Sequence, residues 1–331
     1  MMNNSRFKET RIAGMSVPML FRVGLLIVIL ATFAVIDPAF LRVGNLFAIT
    51  QTFALLGMVA VGLYLTMLAG EFDLSTGAMV AVSGLITLLC GQDNLLIGLF
   101  YALAFGVVVG VTNAALMVIL RVSSLVVTLG VMMTLNGFAY WLAGGQVINT
   151  DQFDLGFILD EPYGSLVSIR SMVTLAVFAA IALMLRFTRI GRDIRVAGSK
   201  REVAVAGGAN IAAALTCAFV LSSSCAAAAG GLLSLSLASA SATTGSTLML
   251  QAVSAAIVGG VSLAGGSGKP SGVLVGTLIL ATLNNGLSLV GLGATGVLLS
   301  NGLVLLLVVL FDGRLGVVVR EHIAARRILA R

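Results

Sequence analysis

The stretch TRIGRDIRVAGSKREVAVAGGAN, residues 188–210, is the one long polar and strongly basic segment of the chain, and hydrophobic sequence lies on both sides of it. Within it, Ser199 and Glu202 have the spacing of a capping box, and Gly207-Gly208 is a stop signal. These signals predict a helix of about two turns. So short a helix is marginal alone in water, so we expect its flanking spans or a partner to hold it. The alternative is an ordinary basic loop on the cytoplasmic side.

The composition is that of a polytopic membrane protein. Hydrophobic residues make up 59% of the 331 residues, charged residues only 10%, and the mean hydropathy is +1.11. The isoelectric point near 9.7 is compatible with nucleic acid binding. However, the basic residues lie at the margins of hydrophobic runs, where they contact anionic lipid, so we expect the lipid bilayer as partner and no nucleic acid.

Apolar runs broken by charge, glycine or proline predict an all-α polytopic membrane protein with about ten transmembrane helices in a single domain, residues 1–331. The predicted spans are 18–36, 46–69, 73–91, 94–120, 124–144, 169–187, 210–236, 248–266, 270–291 and 294–311.

The distribution of charge predicts the orientation. With the N-terminus in the cytoplasm, all of the 19 basic residues except Arg42 and Arg170 lie on the cytoplasmic side. This orientation places residues 1–17, 188–209 and 312–331 in the cytoplasm, as N-terminus, central loop and C-terminal tail. The longest outward loop, residues 146–168, carries four acidic residues and no basic one.

Spans 2–5 and 7–10 form two blocks of four, which enter the membrane from opposite sides. We therefore expect two inverted four-helix halves, a device that many transporters use. The stretches FDLSTGAMVAVSG (72–84) and STLMLQAVSAAIVGG (246–260) support this weakly, because each runs from polar residues into a small-residue helix.

Two groups of polar residues are candidates for the translocation pathway. The first, Glu71, Phe72, Asp73 and Ser75, stands between spans 2 and 3, where acids close to lipid are costly and usually functional; Asp73 could also simply cap span 3. The second group consists of amides within or near the spans, which either line a pathway or bond neighbouring helices. These amides are Asn136, Gln251, Asn284 and Asn285.

Catalytic, nucleotide and metal sites are not expected. The loop GGSGKPS, residues 265–271, fails as a phosphate-binding loop because Leu263 and Pro270 stand where that motif needs glycine and Ser or Thr. It is better interpreted as a tight cytoplasmic turn in which Pro270 opens span 9. The single histidine, His322, excludes a Ser/His/Asp set, and the three cysteines lack metal-ligand spacing.

Six motifs, in order along residues 45–315, carry a resemblance. The chain resembles the permease subunits of bacterial ABC importers for monosaccharides, the ribose/xylose/galactose group. The motifs are EFDLSTG (71–77), VTLG (127–130), LAGGQ (142–146), GRD with AGS and AVAG (191–207), IVGG with GGSG (257–268) and NGL (285–287).

The resemblance implies partners and a role for the central loop. It implies two permease subunits in the bacterial inner membrane, as a homodimer or with a close paralogue, a cytoplasmic ATPase that hydrolyses the ATP, and a periplasmic sugar-binding protein. No cofactor is expected on this chain itself. The central loop would carry the coupling helix that fits a groove on the ATPase. That helix would consist of Ser199, Lys200, Arg201, Glu202, Val203, Ala204, Val205, Ala206 and Gly207.

The resemblance departs at one point, and two other functions stay open. The family usually shows Asn or a similar polar residue and Pro around positions 200–202, where this chain has Lys-Arg-Glu, so details of the ATPase contact differ. One alternative is a branched-chain amino-acid or nucleoside ABC permease of the same superfamily. The other is an ion-coupled secondary transporter, which would need charged residues within the spans; only Arg22, near an inner end, is of that kind.

Overall fold

The computed structural model describes residues 11–12, 15–199 and 201–307. The expectations for most of the N-terminal lead-in, for Lys200 and for the tail 312–331 lie outside the described residues. The helices are α1 (Val17–Ile36), α2 (Val43–Leu68), α3 (Thr76–Leu89), α4 (Leu95–Leu120), α5 (Ser124–Ala143), α6 (Asp154–Asp160), α7 (Ile169–Phe187), α8 (Arg189–Ala197), α9 (Arg201–Ala206), α10 (Ile211–Leu237), α11 (Leu248–Val258), α12 (Pro270–Leu289) and α13 (Ala294–Leu307).

Extended structure is limited to short pieces among the described residues. β1 (Arg11–Ile12) pairs antiparallel with β2 (Met15–Ser16), and β3 (Ile148–Asn149) pairs antiparallel with β4 (Ser239–Ala240). A 3-10 turn at Pro38–Leu41 connects α1 to α2. The all-α fold class is therefore confirmed.

Seven of the helices are long and apolar enough to cross a membrane: α1, α2, α4, α5, α7, α10 and α12. Their boundaries follow local chemistry. The Asn94 side chain accepts from the Leu96 amide at the start of α4, and Asn210 accepts from the Ala213 amide at the start of α10. Pro270 is the first residue of α12, as predicted, since its fixed φ suits that position and its missing N–H is not needed there.

Two predicted spans are wrong in length. α3 has 14 residues and α11 has 11, whereas the predicted spans were 73–91 and 248–266 and a crossing needs about 20. Residues 73–75 (Asp-Leu-Ser) and 259–266, a run of mostly small and apolar residues, lie in non-helical connections instead. α13 is described from Ala294 to Leu307, so the end of the tenth predicted span lies outside the described residues.

α2 and α10 form the centre of the bundle. α10 packs on α3 and α4, whereas α2 packs on α11 and α12, and the two central helices also contact each other. Small residues allow these close approaches. A Cβ on Gly62 of α2 would lie 2.8 Å from the Cβ of Cys225 on α10, and one on Gly110 of α4 would lie 2.5 Å from the Cα of Val220. The outer faces of α1, α4 and α5 remain apolar and exposed, as helices that contact lipid are.

Candidate functional site

The connection between α2 and α3 holds a buried carboxylate. Asp73 has no exposed surface. Its Oδ1 accepts from the Ser75 amide at 3.1 Å and from the Ser75 hydroxyl at 2.5 Å, and its Oδ2 accepts from the Ser222 hydroxyl of α10 at 2.9 Å. Asp73 does not cap α3 from the N-cap position, because that position is Ser75. The carboxylate therefore ties the turn to the neighbouring helix as well as to the start of α3.

Two more helices bind the same connection. The Asn113 side-chain amide of α4 donates to the Ser75 hydroxyl at 3.0 Å. On α5, the Ser124 hydroxyl accepts from the Phe72 amide at 3.3 Å, and the Thr128 hydroxyl donates to the Phe72 carbonyl at 3.3 Å. We call Asp73, Ser75, Asn113 and Ser222 the Asp73 cluster.

The Asp73 cluster lies inside the bundle rather than at its surface. Ser222 follows the first residue of α10 by eleven positions, which corresponds to roughly 16 Å along the helix axis. The Asp73 carboxylate is therefore held well away from the N-terminal end of α10 at Ile211. After α2 the chain turns back into the bundle before α3 begins. Within a membrane, non-helical backbone occurs only where protein groups or a water-filled cavity satisfy its hydrogen bonds.

The beginnings of α3 and α11 lie against each other. A Cβ on Gly77, in the first turn of α3, would lie 3.1 Å from the Gly245 carbonyl oxygen and 3.4 Å from the Cβ of Met249. The two short helices therefore approach each other with their N-terminal ends, each after a non-helical approach. Discontinuous helices that begin near the membrane midplane are typical of transporters.

The basic segment contains two helices. α9 confirms the predicted short helix, and its end confirms the stop signal: Gly208 has φ +75°, the Gly208 amide donates to the Val205 carbonyl, and the Ala209 amide donates to the Ala204 carbonyl. The helix α8, Arg189–Ala197, was not predicted. A signal was present in the sequence, because the Thr188 hydroxyl caps α8 by accepting from the Gly191 amide at 3.1 Å.

Of the two residues in the predicted capping box, the side chain of Ser199 is described and that of Glu202 is not. The Ser199 hydroxyl donates to the Val196 carbonyl at 3.0 Å, within the turn that ends α8. The side chains of residues 200–203 lie outside the described residues. Ala204 is buried, and the Val205 side chain is 62% exposed.

A cavity of about 650 Å³ opens between the basic segment and the bundle. Its lining combines the α2–α3 connection, the end of α4, the α4–α5 connection, α9 and the start of α10. The lining residues are Glu71, Met117, Val118, Arg121, Val122, Ser123, Val205, Ile211, Ala212 and Leu215. Glu71, one of the two acidic residues of the predicted pathway, and Val205 of α9 therefore line the same cavity.

A second polar network lies at the other end of the bundle, and the sequence reasoning missed it. Arg170, at the start of α7, forms an ion pair with Asp160 at the end of α6 at 2.6 Å and donates to the Gln51 side-chain oxygen at 2.7 Å. The Ser236 hydroxyl of α10 donates to the same Asp160. The network connects α6, which lies in the loop predicted to face outward, to α2, α7 and α10.

The structure separates the two groups of predicted pathway residues. Asp73 and Ser75 lie in one cluster with Phe72 beside them, and Glu71 lines the cavity. The four amides lie elsewhere, on α5, α11 and α12, and are half-buried. The Oδ1 atoms of Asn284 and Asn285 are buried without a hydrogen-bond partner among the described residues, so no helix-to-helix bond from these oxygens is seen. Asn113 and Ser222 were not predicted, because the sequence does not show which faces of α4 and α10 meet Asp73 and Ser75.

The described residues contain no group of three or more His, Cys, Asp or Glu side chains that could hold a metal ion. The chemistry available at the Asp73 cluster is hydrogen bonding by hydroxyls, amides and one carboxylate. Such groups suit the binding of a polar solute or the fixing of a helix break.

Comparison with known proteins gives a family. Residues 45–311 match the family described as branched-chain amino acid transport system / permease component. The ribose import permease protein RbsC of Escherichia coli (strain K12) is 32% identical over 296 residues, which cover 87% of this chain and 92% of that protein. The L-arabinose ABC transporter permease protein AraH of Azospirillum brasilense is 31% identical over 301 residues, which cover 88% and 87%. RbsC of Bacillus subtilis (strain 168) is 29% identical over 310 residues, which cover 88% and 91%.

No solved structure matches the chain. The relatives are transport permeases and not enzymes, and the apolar helices make this chain a multi-pass membrane protein. The resemblance found in the sequence motifs is thereby confirmed, and the chain belongs to the permease-component family that includes the ribose and L-arabinose import permeases.

Proposed function

We propose that this chain is the membrane-spanning permease subunit of an ABC importer that carries a monosaccharide. The observation that carries the proposal is the similarity to permeases named for ribose and L-arabinose across 87–88% of the chain. The permease moves the sugar and makes no covalent bond. It binds no cofactor, because a separate cytoplasmic ATPase hydrolyses ATP, and a periplasmic binding protein delivers the sugar.

The permease has ten spans in two inverted halves and works as a pair, with a second copy or a close paralogue. The helix contacts support the inverted halves, because the first helix of each block packs on the second and third helices of the other block. α10, the first helix of the second block, packs on α3 and α4, whereas α2, the first helix of the first block, packs on α11 and α12. The contact between the N-terminal ends of α3 and α11, which are the second helices of the two blocks, also supports the inverted halves.

The segment Ser199–Gly207 is the coupling helix in this proposal. Its polar run Ser199-Lys200-Arg201-Glu202 and its helical conformation in α9 support contact with an ATPase. In this proposal the translocation pathway is lined by Glu71, Phe72, Asp73 and Ser75 and, on α5, α11 and α12, by Asn136, Gln251, Asn284 and Asn285. Rocking of the two halves would open the path to each side in turn.

Uptake measurements test the function. Deleting the gene in its native host is expected to abolish uptake of one radiolabelled monosaccharide, with ribose and L-arabinose tested first, and re-expression is expected to restore it. Leucine serves as the matched comparison, because the family description names branched-chain amino acids. Loss of leucine uptake with normal sugar uptake would show that the transported solute is an amino acid and not a sugar.

Cysteine labelling tests the orientation. Asp154, in α6, and Arg192, in α8, are both exposed, so each can carry a single cysteine in a variant without Cys90, Cys217 and Cys225. A membrane-impermeant thiol reagent added to intact cells is expected to label position 154 and to label position 192 only after the membrane is opened. Labelling of both positions from one side contradicts the topology.

A further inference from the structure

Three connections meet at the end of the bundle that carries α8 and α9. They are the α2–α3 connection at Gly70, the α8–α9 turn at Gly198 and the α11–α12 turn at Gly265 and Gly266. The Gly266 amide donates to the Leu68 carbonyl at the end of α2, at 2.9 Å. We call these four glycines the glycine junction.

The connections touch backbone to backbone in the glycine junction. A Cβ on Gly198 would overlap the Leu68 carbonyl oxygen and would lie 2.5 Å from the Gly266 amide nitrogen. A Cβ on Gly265 would lie 2.5 Å from the Cα of Gly70. Cβ atoms do not occur at such distances, so a single methyl group at either position would force the connections apart.

A side-chain contact runs beside the junction. The hydroxyl of Tyr64, a fully buried residue of α2, donates to the Gly268 carbonyl of the α11–α12 turn at 3.3 Å. The Arg195 side chain of α8 lies beside the same hydroxyl. Beside the glycine junction, α2, α8 and the α11–α12 turn thus also meet through side chains.

The α11–α12 turn is closed on itself. The Ser262 amide donates to the Ser267 carbonyl at 3.0 Å, and the Gly265 amide donates to the Ser262 carbonyl at 3.1 Å. Nearby, the Arg22 guanidinium of α1 occupies the space where a Cβ of Gly260 would be. A turn with internal bonds and close neighbours moves as one piece rather than deforming.

The glycine junction stands between the segment proposed to contact the ATPase and the turns of both inverted halves. Gly198 separates α8 from α9, Gly70 lies three residues before Asp73, and Gly265 and Gly266 lie between α11 and α12. A displacement of α8 and α9 therefore acts on one turn in each half at the same time.

We propose that Gly198 is a positioning residue of the transport cycle, through which the glycine junction passes the movement of α8 and α9 to the turns that precede α3 and α12. The proposal rests on the proposed function as an ABC permease. It also assigns a role to the loop at residues 265–268, which fails as a phosphate-binding loop and is here a mechanical contact.

Gly198→Ala in the complete transporter in proteoliposomes tests the junction. We expect the ATPase to stay bound and to hydrolyse ATP, while the amount of sugar transported per ATP falls about tenfold, within the usual range of coupling between sites. Gly24→Ala is the matched control, because a Cβ on Gly24 of α1 meets nothing within 4 Å. An unchanged ratio, or a proportional loss of hydrolysis and transport, overturns the proposal.

If the Gly198→Ala protein does not insert into the membrane, Tyr64→Phe tests the same proposal. It removes only the hydroxyl that reaches Gly268 and keeps the buried ring, so we expect normal assembly and a ratio of sugar to ATP lowered about threefold or more, the effect of losing one hydrogen bond. A normal ratio in this variant overturns the proposal. Failure of the proposed function looks different, because the unmodified chain would then bind no ABC ATPase at all.

Discussion

Asp73→Ala is expected to abolish transport and to lower the amount of stably folded protein. The substitution removes the acceptor of three hydrogen bonds, two from Ser75 and one from Ser222. Each buried donor left without a partner costs about 1–3 kcal/mol, and bonds to a carboxylate are stronger than neutral ones. The measurements are sugar uptake in proteoliposomes and the fraction of protein that stays monodisperse in detergent on heating.

Asp73→Asn separates the charge from the shape of the side chain. Asparagine keeps one acceptor oxygen and nearly the same volume, and a neutral group is easier to bury, so we expect folding close to that of the unmodified protein. Transport is expected to fall about tenfold, because the bond to Ser222 loses its ionic character, which corresponds to about 1.4 kcal/mol. Full transport by the Asn variant, together with loss in the Ala variant, would show that neutral hydrogen bonding suffices and that the charge of Asp73 is not required.

Much of the helical architecture was predictable because a membrane helix must satisfy its own backbone over about 20 apolar residues. The long central helices α2 and α10 follow that rule. The short helices α3 and α11 do not. The turn after α11 has the same small and apolar composition as a helix, so the sequence does not show where α11 ends. Gly260, with φ +80°, follows the end of α11, and only the folded backbone shows that the chain turns there.

The polar cluster was only half predictable for a related reason. Asp73 is conspicuous because acids are rare in apolar sequence, and it was identified from that alone. Its partners depend on how the helices are rotated. Three serines stand in a row at 222–224, and only the fold shows that Ser222 is the one that faces Asp73. The same holds for Asn113, which nothing in the sequence of α4 connects with Ser75.

Val205→Pro is expected to detach or uncouple the ATPase while leaving the protein in the membrane. Val205 is the fifth residue of the six in α9, and proline there has no N–H to donate and collides with the preceding turn. A proline within a helix costs about 3 kcal/mol, which corresponds to a roughly hundredfold smaller population of the intact helix. The measurements are co-purification of the ATPase and sugar uptake, each relative to the amount of permease in the membrane.

Val205→Ala is the matched control, because alanine favours the helix and removes only the exposed side chain that lines the cavity with Glu71 and Arg121. We expect it to retain most of the ATPase and most of the uptake. If α9 binds chiefly through the valine side chain, the Ala and Pro variants will lose ATPase to the same extent. Normal transport by the Pro variant would show instead that α9 need not be helical, and that the basic segment is only a positively charged tether beside the membrane.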